Sequence, residues 1–159
     1  MIMKKFMVAL FVTFSAVAMQ AQENALEWHT DMNKAMALST STKKPMLLFF
    51  TGSDWCGWCM KLQKEVLKTP EFATWAKENV ILVEVDFPRR AAQPDALKQQ
   101  NAQLSGALKV RGYPTVWFVN AAKTDDGKVN LTPMGSTGYV AGGPAAWLAT
   151  ANPIVAKKS

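Results

Sequence analysis

Two cysteines are all that this 159-residue chain contains, and they stand three apart in the stretch SDWCGWCMKL, at Cys56 and Cys59. A disulfide between them would enclose so short a loop that it constrains the unfolded chain very little. The pair is a poor staple, so we read it as reactive sulfur. It follows an apolar run and a short turn, at the start of an expected helix. There the first backbone N–H groups are unpaired and the helix dipole is positive. A free thiol has a pKa near 8.5, and such surroundings bring it to roughly 3.5–7.5. Cys56 is then the attacking thiolate. Cys59, one turn further in, is less exposed and within reach. The attack gives a mixed disulfide with the substrate, and Cys59 resolves it; the reverse path oxidises a dithiol. A close second thiol makes resolution effectively intramolecular.

Metal binding is the rival chemistry. A structural zinc site wants four ligands, and the chain supplies two cysteines and one histidine, His29, expected on a helix surface. A c-type haem needs histidine directly after Cys59, where Met60 stands. No metal is expected, and no cofactor beyond the redox-active Cys56–Cys59 couple. An inert buried pair is the structural alternative.

The elements that must position the pair follow from apolar patterning. Residues 24–41 read as a helix with Leu26, Trp28, Met32, Met36 and Leu38 on one face and Asp31 and Lys34 turned away. MLLFFT, 46–51, is a continuous apolar run of strand length, typical of a strand covered on both faces. A helix is expected from Cys56 to Lys68, burying Met60, Leu62, Val66 and Leu67. Thr69-Pro70-Glu71 starts the next one, with a capping hydroxyl and proline at the first helical position, and it should run to about Glu78. VILVEV, 80–85, is the second buried strand. Pro94–Leu108 looks helical, with Leu97, Leu104 and Leu108 as core candidates. PTVWFV, 114–119, is the third strand. Asp126-Gly127 signals a hairpin, and the strand after it carries Pro133, which suits an edge. A last helix is expected over Pro144–Thr150, ending before Pro153. Helices between buried strands imply parallel crossovers, and the hairpin adds antiparallel strands. The fold class is α/β, a mixed sheet sandwiched by helices.

The N-terminus has the order of a secretory signal peptide: basic Lys4-Lys5, an uncharged apolar run from Phe6 to Met19, then small residues at Ala16, Ala18 and Ala21. The run is short for a membrane span. Cleavage is expected between 18 and 22, giving a signal peptide at 1–21, a domain at 24–152 and a short tail at 153–159. A buried N-terminal helix or a retained anchor is the alternative. Export implies an oxidising compartment, periplasmic or secreted, and a mature chain that does not span the membrane. The net charge of +6 comes from scattered basic residues with no stripe of interleaved aromatics, so no nucleic-acid partner is expected.

FFTGSDWCGWCMKL followed much later by VRGYPTVWFV resembles the thioredoxin superfamily, and most of all the exported bacterial thioredoxin-like proteins with a Trp-Cys-x-x-Cys motif. The similarity covers residues 26–150. It implies a three-layer sandwich, here with an extra helical insertion around 87–107. It makes Cys56 the attacking cysteine, Cys59 the resolving one, and Pro114 the family's cis-proline facing them. Without the resemblance, Pro114 reads as a strand-entry proline. Tyr113 would offer backbone groups to an extended substrate segment. Trp55, Gly57 and Trp58 would form the docking rim.

The sequence also departs from the family. An acid usually stands six residues before the first cysteine, and here that position is Phe50. Glu84, which interrupts an apolar strand, is the candidate proton acceptor, if strand pairing brings it beneath Cys59. A strand-end acid reaching solvent is the alternative. Asp54, if exposed, would modestly oppose thiolate formation. Trp58 stands where strong oxidants and isomerases commonly have histidine, which favours a reductase.

The expected function is an exported thiol–disulfide oxidoreductase acting on protein disulfides, recharged by a membrane electron-transfer partner. The alternatives are a thioredoxin-fold binding or chaperone module, and a disulfide isomerase. Isomerases usually benefit from a dimer, and with no dimerisation domain in view a monomer is expected.

Overall fold

The computed structural model describes residues 25–157. The expected signal peptide and its cleavage site lie outside the described residues, as do the last two residues of the expected tail.

Five strands form one sheet in the order β1-β3-β2-β4-β5: β1 Trp28–His29, β2 Met46–Thr51, β3 Ile81–Asp86, β4 Thr115–Lys123 and β5 Val129–Thr137. β1 and β2 flank β3 in parallel, while β4 pairs antiparallel with β2 and with β5. The helices are α1 Met32–Thr42, α2 Gly57–Leu62, α3 Pro70–Asn79, α4 Asp95–Ala107 and α5 Gly143–Val155. The expected mixed sheet between helical layers is what the structure shows.

Strand alternation divides the core. Met46, Leu48, Phe50, Val83 and Val85 face α1 and α4, packing with Met32 and Ala35. Leu47, Phe49, Leu82, Val116 and Phe118 face the other layer with Cys56, Cys59, Leu62, Phe72 and Trp147. Both faces of β2 are covered, which explains its unbroken apolar run.

Several boundaries differ from expectation. The chain over 24–41 is not one helix. The Asp31 carboxylate caps α1 by accepting the Asn33 N–H at 2.8 Å, so the helix begins at Met32. Trp28 and His29 instead pair with Leu82 and Val83. His29 is therefore buried in a strand, not exposed on a helix. Met60 is 46 % exposed although a buried position was expected. Cys59 and Leu62 set the inward face of α2, and a turn of about 100° per residue carries Met60 off it. Leu97 and Leu104 in α4 and Leu108 at its C-cap are only half-buried, and the buried residue of the helix is Asn101. Its Nδ2 donates to the Asp86 carbonyl at 2.9 Å, a main-chain acceptor at the end of β3. α5 runs through Pro153 to Val155, because Ala151 and Val155 on either side of the exposed proline are seated in the core.

Other expectations hold. Thr69 caps α3 with Pro70 at its first turn. The hairpin turns at Gly127, whose φ of +79° is the left-handed region that glycine enters without a Cβ clash. Pro133 lies on the edge strand β5. Among the described residues no helix is long and apolar enough to cross a membrane.

Candidate active site

β2 ends at Thr51 and the chain turns through Gly52-Ser53-Asp54-Trp55 into α2. The turn closes by a hydrogen bond from the Cys56 N–H to the Gly52 carbonyl at 2.9 Å. A Cβ on Gly52 would lie 2.3 Å from the Trp55 ring, so only glycine lets the indole fold back over the turn. Cys56 is the N-cap of α2, and its sulfur accepts the Cys59 N–H at 3.2 Å. That bond uses one of the orphan donors of the first helical turn, the group that stabilises a thiolate at this place.

Cys56 and Cys59 form a disulfide, with Cα atoms 5.2 Å apart. Cys56 retains 6 % exposure and Cys59 none, so an incoming group meets Cys56 first. Behind the pair, α2 continues as a π-helical turn over Gln63–Leu67, with the Lys68 N–H bonded to the Gln63 carbonyl at 2.9 Å. Such turns insert a residue into a helix and recur near functional sites. Here Val66 and Leu67 both face the core.

The remaining site residues arrive from distant segments. The Tyr113–Pro114 peptide bond is cis and leads into β4. Tyr113 meets the Trp55 ring edge-on, with centroids 5.8 Å apart. Trp55 also donates its Nε1–H to the Phe87 carbonyl at 2.8 Å. Gly57 is exposed, and a Cβ there would meet nothing within 4 Å. Trp58 is 58 % exposed and leans on Tyr139 at 5.2 Å. Trp55, Gly57, Trp58 and Tyr113 thus gather around the cysteine turn.

Phe50 is not beneath the cysteines. Counting six positions back ignores the path of the turn, and strand alternation puts Phe50 on the opposite face. Phe49 and Thr51 face α2 instead. Glu84 is in register with Phe49 and shares its face. It lines a cavity of about 210 Å³ with Trp28, Phe49, Gln63, Leu67 and Lys68. Gln63, one helical turn beyond Cys59, lines the same cavity as Glu84. Burial, and then the negative charge of Asp86, push the Glu84 carboxyl above the usual carboxylate range, while Lys68 pulls it down.

Asp54 does not face the thiol as an unpaired charge. Its carboxylate accepts the backbone N–H groups of Arg89, Arg90 and Ala91 at 2.9, 2.7 and 2.9 Å. Those bonds lower its pKa to about 2. The Asp86 carboxylate in turn accepts the Ser53 N–H at 2.8 Å. The 89–91 main chain is therefore pinned to the cysteine turn. Sequence reading missed this clasp, and it missed Tyr139, whose hydroxyl donates to Glu65 across 74 positions at 2.5 Å. Asp54 beside a turn was a local signal for capping; Tyr139 carried none. Among the described residues no group of three or more His, Cys, Asp or Glu is placed to hold a metal ion.

Fold and site together define a thiol–disulfide oxidoreductase of thioredoxin architecture. The chain belongs to the thioredoxin-like family, whose model matches residues 27–121. It is 38 % identical over 115 residues to the disulfide bond reductase DsbH of Chlamydia pneumoniae, covering 72 % of this chain and 69 % of that protein. It is 34 % identical over 114 residues to the thioredoxin-related protein DsbJ of the same organism, covering 69 % of this chain but only 33 % of the longer relative. A solved DsbH oxidoreductase structure superposes with a TM-score of 0.72 at 34 % identity, covering 84 % of this chain and 86 % of that one.

Proposed function

We propose that this protein is an exported reductase of protein disulfides, with Cys56 as nucleophile and Cys59 as resolving thiol. The observation that carries the reading is the asymmetry of the pair: Cys56 caps a helix and keeps a small exposed area, while Cys59 has none. In the reduced protein the Cys56 thiolate attacks one sulfur of a substrate disulfide, and the other substrate sulfur leaves as a thiolate that takes up a proton. Cys59 then gives its proton to Glu84 and attacks the Cys56 sulfur. The second substrate thiolate is expelled, and the protein is left as the Cys56–Cys59 disulfide. A water in the cavity that Glu84 shares with Gln63, one helical turn beyond Cys59, would carry the thiol's proton. Tyr113 and Pro114 offer main chain to an extended substrate segment, and Trp55, Gly57 and Trp58 give it a flat apolar seat.

Two things support the reducing direction, tryptophan and not a cation between the cysteines and the name of the DsbH relative, while the amino-terminal pattern supports export. A reductant in an oxidising compartment needs recharging, for which a membrane electron-transfer protein is the natural partner.

The test is trapping. The reduced chain should cleave an accessible inter-chain protein disulfide. Cys59→Ser should accumulate a mixed disulfide through Cys56, visible on a non-reducing gel, and Cys56→Ser should do neither. Equal cleavage by Cys56→Ser and the natural chain would refute the assignment.

A further inference from the structure

Both tryptophans beside the cysteine pair carry a cation on their rings. The Arg89 guanidinium lies 3.8 Å from the Trp55 ring centroid. The Lys61 ammonium lies 5.0 Å from the centroids of both Trp58 and Tyr139. The ring quadrupoles attract these cations and bias them toward the site. The backbone holds Arg89 as well, because its N–H is the first of the three that Asp54 accepts.

The Asp54 carboxylate keeps its negative charge but is turned to main-chain N–H groups, and among the described residues no ion pair involves Arg89, so its guanidinium is left without a carboxylate partner. Glu65 faces Lys61 only at 4.0 Å and accepts the Tyr139 hydroxyl at 2.5 Å. Arg89 is thus the stronger of the two positive corners. A guanidinium centred 3.8 Å from an indole centroid is within stacking distance, and its N–H edge can meet a carboxylate with two parallel hydrogen bonds.

We propose that this rim selects protein segments whose disulfide cysteine is flanked by Asp or Glu, with Arg89 the principal recognition residue and Lys61 the second. The proposal rests on the oxidoreductase reading above. Trp55 and Trp58 flank Cys56 in the chain, and Trp55 also meets Tyr113, where the substrate backbone is expected to run. A segment on that track passes Arg89 at the Trp55 corner, while Lys61 stands at the Trp58 corner. Opposite charges on such a track raise the encounter rate and fade with salt.

The experiment uses three short peptides, each with one cysteine capped as a mixed disulfide with 2-mercaptoethanol and flanked by Glu, Ser or Lys. Reduced protein should turn over the Glu peptide about tenfold faster than the Lys peptide at about 20 mM salt, and the ratio should shrink to about twofold near 0.5 M. Arg89→Gln should bring the low-salt ratio to within about twofold, and Arg89→Lys should restore part of it. Lys61→Gln should lower it less. Equal rates for Glu and Lys peptides in the natural chain, or an undiminished ratio in Arg89→Gln, would overturn the proposal.

A second arm is independent of turnover. Peptides with serine in place of cysteine are titrated against the oxidised protein by tryptophan fluorescence, and the Glu peptide should bind more tightly in an Arg89-dependent way. If no peptide is reduced but this binding holds, the oxidoreductase reading fails and the rim stands. If all peptides are reduced equally and none binds preferentially, the rim fails and the chemistry stands.

Discussion

Replacing Thr51 with valine should make the oxidised protein more stable. Thr51 ends β2, fully buried on the face of the sheet that carries the cysteine pair, in register with Asp86. Its Oγ1 has no hydrogen-bond partner among the described residues. A buried hydroxyl without a partner forfeits its bonds to water, at a cost of about 1–3 kcal/mol, and an apolar group of the same shape removes that cost. Valine keeps the β-branch that suits a strand. The expected net gain is about 1 kcal/mol, or a rise in Tm of roughly 3–4 °C for a domain of this size. Far-UV circular dichroism melts with the disulfide intact measure it. Thr51→Ser, which keeps the hydroxyl and loses the methyl, should be less stable than the natural chain by about 1 kcal/mol. If Thr51→Val melts at the same temperature or lower, the hydroxyl is satisfied, for example by a buried water, and the reasoning fails.

Glu84→Gln should slow exchange at the resolving step and flatten its pH dependence when measured across about pH 6 to 9. An exchange rate equal to the natural chain's throughout that range would remove Glu84 from the mechanism. The same variant has a stability signature. A carboxyl raised in the folded state favours folding below its unfolded pKa, and that contribution is lost as pH rises through the folded value. Denaturant midpoints at pH 4 and pH 7 should therefore show the Gln variant gaining on the natural chain at the higher pH. Trp147 is fully buried, meets Phe72 at 5.7 Å and Trp75 at 6.1 Å, and donates its Nε1–H to the Gly138 carbonyl at 3.0 Å. Trp147→Ala should cost about 3–5 kcal/mol, read from urea unfolding; a loss under 1 kcal/mol would show that this core can collapse around the gap.

The reactive pair was legible because its signals are local. An apolar run, a turn and a cysteine three residues before another are contiguous, and helix-end electrostatics act within one turn. The cis bond at Pro114 was legible only through resemblance, since the residues alone read as a strand entry. Where local patterning failed, a distant partner had decided the outcome. Trp28 fit the apolar stripe and His29 the outer surface of an expected helix until β3 offered a ladder, and Asp31 placed the helix start after them. Asn101 is buried where leucines were expected because the Asp86 carbonyl needed a donor. Pro153 stays in its helix because its neighbours are held in the core.

Residue types and their spacing along the chain were enough for the α/β class, for the cysteine chemistry and for the choice of Cys56 as the exposed partner, since each depends on interactions within a few positions. The faces of Phe49, Phe50 and Glu84, the capture of Asp54 by the 89–91 main chain and the seating of Arg89 on Trp55 came from the folded chain alone. Those contacts join segments more than thirty residues apart, and their geometry is set by the register of the sheet and the course of a turn, neither of which is written in the types of the residues that meet.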